Sequence, residues 1–543
     1  MDCASIPYSR VPKTSALLND YLYHFEKVSR FYNHPPYDPA SYKAAAAGTK
    51  IPHRKKLAEI LLHQNREFGA AEAALANIRL LEKGDTFAVV TGQQVGLFSG
   101  PAFTLYKALT AVKLAASLSE QGIRCVPVFW LATEDHDLEE VSHAAVFDEQ
   151  YGLAGFASAG VRPAEHCSVG YVKFSEEITA TLDKLESLLP PGEPRERLMR
   201  DLRESYAPGS GWGQAFGKLM ARIFSRWGVI LLDPLDEEIH RLAAPVFDWA
   251  ISDTPALRDR LLKRSADLVN AGYHAQVHVG EDSTPLFVAR NGNRTPIRLR
   301  GDELWIDETE RVSPADLRTK LNSSPIDFTA NAVMRPLVQD TVLPTVAYVA
   351  GPSELTYFAQ AQAVYGGFGR EMPVIFPRAA FTLVDRRVER WMDKYQVTVE
   401  DAWAGREHLR QKIAAAGLTE GGAQGWSERF DASEQELVQV LDRMRRDVKT
   451  LDPTLLDALT KIEDKMKYEV EKLRGKISRA AVQKSDLLAR HEESLARFLW
   501  PNKDLQEREV SGICFLARAG YELLDRLLEQ TQLRSPEHQV LVY

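Results

Sequence analysis

The sequence predicts an α/β protein: an open parallel sheet with helical crossovers, interrupted by insertions and followed by a long helical C-terminal region. Three observations predict it. Residues 86 to 137 read as strand, glycine turn, helix and second strand. Short apolar runs near residues 230 and 345 recur between helical stretches, and from about Phe381 the pattern changes to long helices.

The first unit carries most of the chemistry. Phe87 to Val90 is a short buried strand, punctuated by Gly92, Gly96 and Gly100. Pro101 suits a first helical turn, and Leu105, Leu109, Val112 and Ala116 recur as one apolar stripe. A second strand, Cys125 to Ala132, runs straight into TEDHDLEE. Two strands joined by a helix are parallel with a right-handed crossover, and ligands of such sheets bind beyond the C-terminal strand ends. The glycine loop and the acidic run both fall there.

After a Pro/Tyr-containing start, residues 1 to 80 read as helical, including a long run from Arg54 to Leu81, and pad one side of the sheet. Residues 149 to 213 mix Gly, Pro and Ala with weak strand signals, as an insertion would. Helix Phe216 to Trp227 leads into WGVILLDP, a third buried strand. His274 to Val279, Pro285 to Ala289 and Leu304 to Ile306 read as short strands of a second insertion. Thr345 to Ala350 is a further core strand, Gly351-Pro352 opens a helix, and Met372 to Arg378 reads as the last strand. The units expected are 1–148 and 216–273 with 331–380 for the core, 149–215 and 274–330 for the insertions, and 381–543 for the helical region.

In that region Leu459, Ile462, Met466, Val470, Leu473, Ile477 and Ala481 form one helical stripe slightly looser than a strict heptad. Ser433 to Lys449 is a shorter partner with Leu437, Val440, Leu441, Met444 and Val448, and Asp452-Pro453 separates the two. The pattern predicts an antiparallel hairpin that forms a homodimer as a short coiled coil; the alternative is a hairpin folded back on its own core.

At 543 residues the chain is long enough for roughly two to four structural units. The 67 basic and 75 acidic residues give a net charge of −8 without a basic block, which argues against a nucleic-acid surface while leaving nucleotides open. Cys3, Cys125, Cys167 and Cys514 lie far apart with no paired spacing, as reduced thiols do. No run approaches ~20 apolar residues and the start lacks a leader pattern, so a cytoplasmic protein without membrane partners is expected.

Three constellations are candidates for chemistry. TGQQVGLFSGP lacks the Walker pattern and the G-x-G-x-x-G spacing, yet Gly92, Gly96 and Gly100 with Gln93 and Gln94 suit an anion at a helix start; the alternative is a structural turn. Thr133, Glu134, Asp135, His136, Asp137, Glu139 and Glu140 crowd carboxylates at a strand end, where repulsion needs a cation, a proton or a substrate amine to offset it. His136 suits a general base oriented by Asp135 or Asp137; His136, Glu140 and His143 at helical spacing could instead hold a divalent metal, and the plain alternative, a capped helix start, accounts for Glu139 and Glu140 but not for His136 and Asp137. Arg335, Gln339, Asp340, Tyr348, Glu354, Tyr357 and Arg378 flank the later strand ends, and the two arginines suit carboxylate or phosphate oxygens. Lys503 and Arg508 near the C-terminus suit a second anion site or a solvated turn.

TGQQVGLFSGPAFTLYKALTAVKLA, VPVFWLATEDHDLEEV, RPLVQDTVLPTVAYVAGPSELTYFAQ and MPVIFPR, in that order, resemble the bacillithiol-biosynthesis family of cysteine ligases, BshC, across nearly the whole chain. The resemblance implies a Rossmann-like core shaped like class I aminoacyl-tRNA synthetases, connecting insertions and a coiled-coil dimerisation domain. It also implies the reaction, the joining of cysteine to the amine of glucosaminyl-malate, with ATP and Mg expected for carboxylate activation. In that setting the Gly92 to Gly100 backbone would cradle phosphate. Glu134, Asp135, His136 and Asp137 would hold or deprotonate the amine, and Arg335 or Arg378, with Gln339, Tyr348 and Glu354, would hold the malyl side, with no metal bound by protein ligands. The H-I-G-H and K-M-S-K-S signatures of the synthetases are absent, which leaves the C-terminal helices as another place for nucleotide. A metal-dependent hydrolase or transferase built on Glu134 to His143, and a non-catalytic coiled-coil scaffold, are the rival readings.

Overall fold

The structure is a computed structural model that describes residues 3–158, 160–307, 309–420, 426–483, 485–535 and 537–543. Its centre is a five-stranded, all-parallel sheet in the order Val374–Pro377, Thr345–Ala350, Phe87–Gln93, Cys125–Leu131, Ile230–Leu232. Val90 pairs with Val128 on one side and Tyr348 on the other, so the three central strands end at one level. Continuous apolar runs form these strands because helices cover both faces.

The first strand is longer than its apolar run. Phe87–Gln93 extends through Thr91, which donates to the Val349 carbonyl, and Gly92, whose missing side chain lets Trp130 pack 3.0–3.1 Å from where a Cβ would stand. Gly92 is therefore a packing glycine inside a strand, not a loop residue. The crossover helix starts at Phe103; Pro101 lies outside it, bridged to Ser511. Leu105, Leu109 and Val112 are buried as expected, but Ala116 is exposed, and the helix is covered on most of its circumference. The cover is the C-terminal helix Gly512–Ala519, which approaches because Gly512 has no Cβ to meet Leu105.

The chain ends were misjudged. Cys3–Pro7 is a strand, antiparallel to Glu537–Val542, which runs parallel to Ala380–Val384. Met372 to Arg378 is thus not the last strand, and the Pro/Tyr-containing start before the first helix holds a strand as well; each is too short to announce itself without its distant partner. The Arg54 to Leu81 run is two helices, Arg54–Glu67 and Glu72–Leu81, with Gly69 between them at φ 71°.

The first insertion contains the hairpin His143–Phe147 with Leu153–Ala157 and the helices Glu177–Leu188 and Glu193–Ser205. The second is an antiparallel sheet in the order Glu310–Val312, Glu303–Ile306, Asn293–Arg300, Ser283–Arg290, Phe328–Ala330. His274 to Val279 is not one of its strands: the backbone N–H and C=O of Val277 bond the Gln360 side chain instead.

Beyond residue 380, Trp426–Leu451 and Leu456–Gln483 form a hairpin around Pro453–Leu455. Arg474 bonds Asp431 and Glu434 while Arg445 bonds Glu463, as antiparallel helices require. Leu441 and Leu459 are buried, but Met444, Ile462 and Leu473 are 48, 53 and 51% exposed. The side chains of Ala481 and Cys3 lie outside the described residues. No described helix is long and apolar enough to cross a membrane.

Candidate functional site

A cavity of about 440 Å³ opens at the C-terminal ends of the three central strands, with Gly92 and Gln93, Trp130 and Tyr348 in its floor. A larger one of about 660 Å³ adjoins it under the His143–Phe147 hairpin, and Gln93, Gln94, Phe103, Glu140 and Arg508 line both.

The acidic wall follows the second strand. Asp135 lines the first cavity; its Oδ1 accepts from the amides of His136 (2.7 Å) and Asp137 (3.3 Å), and its Oδ2 from Gln94 Nε2 (2.8 Å). Burial alone would raise its pKa, but these hydrogen bonds, that of the His136 side chain and the charge of Arg294 hold it well below the usual carboxylate range. Gln94 also donates to Glu140 Oε2 at 2.7 Å; burial and the neighbouring Asp135 and Asp137 charges push the Glu140 pKa up, against that hydrogen bond. Glu134 lines the cavity with its carboxylate 3.3 Å from Nε2 of the buried His240.

Two members of the run stand elsewhere. Asp137 is exposed and caps the short helix Leu138–Val141 by accepting from the Glu140 amide, so the capped-helix reading is the right one for it. His136 stands behind the wall, its Nδ1 3.2 Å from Arg294 Nη1 and 3.4 Å from Asp135 Oδ1. The helical metal set fails because the helix ends at Val141 and His143 begins a strand, its Nδ1 2.8 Å from the Glu139 carbonyl. No group of three or more His, Cys, Asp or Glu among the described residues could hold a metal ion.

Two amides of the expected phosphate cradle are used inside the glycine loop. The Gly96 amide donates to the Gln94 carbonyl and the Gly100 amide to the Leu97 carbonyl, so both are spent within the turn. Gly100 is needed for its φ of 65°, and Gly96 because a Cβ there would meet Gly100 Cα at 2.7 Å. Gln93 survives as a cavity residue, accepting at Oε1 from Lys107 Nζ at 3.1 Å.

The opposite wall is cationic. Lys107, fully buried in the crossover helix, also donates to the Gly92 carbonyl and pairs with Glu354; burial pushes its pKa down despite that carboxylate. Glu354 accepts besides from Tyr348 OH and the Gly351 amide, each at 2.7 Å, capping the helix Pro352–Phe368. Arg335 lines the cavity over the Tyr348 ring and donates to Gln339 Oε1 at 3.0 Å. Gln339 itself is buried behind Arg335 and donates to Asp340, so it does not reach the cavity. Tyr357 lines the cavity; Asp340 is buried and bonded by Tyr365.

Arg378 lines the first cavity, as expected of a substrate-side residue, but it is also paired. Its guanidinium makes two hydrogen bonds to Glu507, 2.6 and 3.1 Å, in a fully buried pair, so its fork is not free for a substrate carboxylate. Arg294 was missed. The second insertion carries it in, flat over Phe287 and bonded to Thr329 Oγ1 (2.9 Å) and the Ala330 carbonyl (2.8 Å). Nothing in its sequence surroundings, one arginine among several, sets it apart. Lys107 was also missed, although a lone lysine in the apolar stretch FTLYKALTAV was a readable signal.

A parallel sheet with a charged small-molecule crevice at its strand ends, two insertions over that crevice and a helical hairpin beyond defines a Rossmann-like α/β protein with a coiled-coil domain. Residues 1–379 match the family model "Bacillithiol biosynthesis BshC, N-terminal Rossmann-like domain" and residues 381–543 match "Bacillithiol biosynthesis BshC, C-terminal coiled-coil domain". The chain belongs to the BshC family. Proteins named "Putative cysteine ligase BshC" from Koribacter versatilis and Solibacter usitatus are each 36% identical to it, over 99% and 100% of both chains. One of the same name from Salinibacter ruber is 34% identical over 97% of this chain and 96% of its own.

Proposed function

We propose that this chain is a cysteine ligase of bacillithiol synthesis, joining the cysteine carboxylate to the amine of glucosaminyl-malate as an amide. The observation that carries the reading is the facing of an ionised Asp135, bridged by Gln94 to Glu140 and flanked by Arg294, against the cationic Arg335 in one cavity. One wall suits an ammonium and the other an anion.

An amide does not form from a free carboxylate without activation, and ATP, carried with Mg, supplies that activation as an adenylate. With the Gly96 and Gly100 amides spent within the turn, side chains are the candidates to receive phosphate and carboxylate oxygens, Arg335 and Arg294 first. Asp135 holds the incoming ammonium, and Glu140, whose raised pKa suits proton exchange, takes one proton to free the amine; the amine attacks the activated carbonyl, AMP leaves, and the second proton passes to solvent. Lys107 and Glu354 fix Gln93, Tyr348 and the two strand ends around the reacting groups.

The exposed apolar stripe of the hairpin supports a homodimer, and the buried thiols Cys125, Cys167 and Cys514 support a reducing, cytoplasmic setting. The test is a mass-spectrometric assay of the purified protein with cysteine, glucosaminyl-malate and Mg-ATP. Bacillithiol with AMP is expected, and Asp135→Asn should lower its formation at least about 100-fold with the fold intact. No product from folded protein would overturn the reading.

A further inference from the structure

Resting on the ligase reading, we infer that Arg508 is the specificity residue for the acidic acceptor, binding a malyl carboxylate while the sugar occupies the second cavity. Lys107 is paired with Glu354 and Arg378 with Glu507, which leaves Arg335, Arg294 and Arg508 for anions, and of these Arg335 and Arg294 line the first cavity alone. Arg508 lines the cavities without an ion pair or side-chain hydrogen bond among the described residues, and it lines both of them.

Its mounting is rigid although its side chain is exposed. Glu507 is fixed by Arg378 and by the Phe381 amide at 3.1 Å. Gln506 accepts from the Leu383 amide at 2.8 Å and donates to the Leu383 and Phe498 carbonyls. The two buried neighbours thus anchor the turn, and Arg508 projects from it to the junction. A free guanidinium on a fixed backbone suits a carboxylate, which it can take in bidentate fashion.

The second cavity suits the rest of such a molecule. Gly96, Pro101, Ala144 and Gly155 leave room in its walls, the rings of Phe103 and Phe156 offer apolar faces to a sugar, and the carboxylates of Glu140, Asp504 and Glu509 offer acceptors to its hydroxyls. From there an amine reaches the shared wall at Glu140 and Gln94, next to Asp135. Phosphate is the other anion a guanidinium would take, and the kinetics separate the two.

The experiment measures kcat and KM of the full-length protein and Arg508→Ala for glucosaminyl-malate, for methyl glucosaminide, which lacks the malyl group, and for ATP, with Lys503→Ala as a surface control in the same segment. Arg508→Ala should raise KM for glucosaminyl-malate about 10- to 100-fold and leave the values for methyl glucosaminide and ATP within about twofold. An unchanged KM for glucosaminyl-malate overturns the inference, and so does a rise in the KM for ATP instead, or an equal rise with Lys503→Ala. Failure of the unsubstituted protein to ligate either acceptor would count against the ligase reading rather than against Arg508.

Discussion

Arg378 and Glu507, which meet across the boundary between the parallel-sheet domain and the helical region, form a fully buried ion pair with two hydrogen bonds of 2.6 and 3.1 Å. Glu507 is further satisfied by the Phe381 amide, so the pair fixes the last core strand, the segment after it and the C-terminal turn to one another. Removing one partner strands the other as a buried charge. Glu507→Leu and Arg378→Met should each cost about 3–5 kcal/mol in urea unfolding, while the double substitution costs much less than their sum. Additive losses would show that the pair is not coupled.

His538 lies beside that pair on the C-terminal strand, buried, with Nε2 2.8 Å from Thr382 Oγ1. Burial lowers its pKa from 6.5 to about 4, against the pull of Glu507. A histidine held neutral in the folded state binds its proton only on unfolding. The stability it contributes is therefore complete above pH 6.5 and is lost as pH falls towards 4. The loss should reach roughly 3 kcal/mol over that interval, and His538→Asn should flatten it in unfolding measured across the range.

The acid limb of ligation should belong to Glu140. Asp135 stays ionised well into acid, whereas the raised Glu140 titrates first. Glu140→Gln should lower kcat and remove the acid limb of the pH–rate profile. Asp135→Asn removes a neighbouring negative charge, so the limb in its residual activity should move to lower pH. A limb unmoved in both variants would assign it to another group.

The hairpin offers a test of assembly. Ile462 and Leu473 are more than half exposed on one helical face, and their charged replacements leave the single chain's contacts largely intact. Ile462→Asp with Leu473→Asp should shift light-scattering mass from two chains to one, with the helical signal kept. A single-chain mass before substitution would contradict the dimer.

The parallel core was legible because its strands are buried on both faces and read as unbroken apolar runs, CVPVFWLA and TVAYVA above all. The acidic wall was legible because Glu134, Asp135 and Glu140 crowd one strand end. What was not legible depended on distant partners. Cys3–Pro7 becomes a strand by pairing with Glu537–Val542, which itself pairs with Ala380–Val384. Arg378 looked like a free ligand because Glu507, which neutralises it, is far along the chain. Asp137 looked catalytic because a cap and an active-site acid are the same residue type, and only the hydrogen bond from the Glu140 amide separates them. Arg294 enters from an insertion whose fold over the crevice no local pattern announces.

The most direct test of the central claim, activation of cysteine's own carboxylate, is to supply cysteine with heavy oxygen in that carboxylate, together with glucosaminyl-malate and Mg-ATP, and to follow the label by mass spectrometry. The account predicts bacillithiol together with AMP that carries one labelled oxygen from the cysteine carboxylate. Bacillithiol formed with unlabelled AMP, or with ADP and labelled inorganic phosphate, would contradict it.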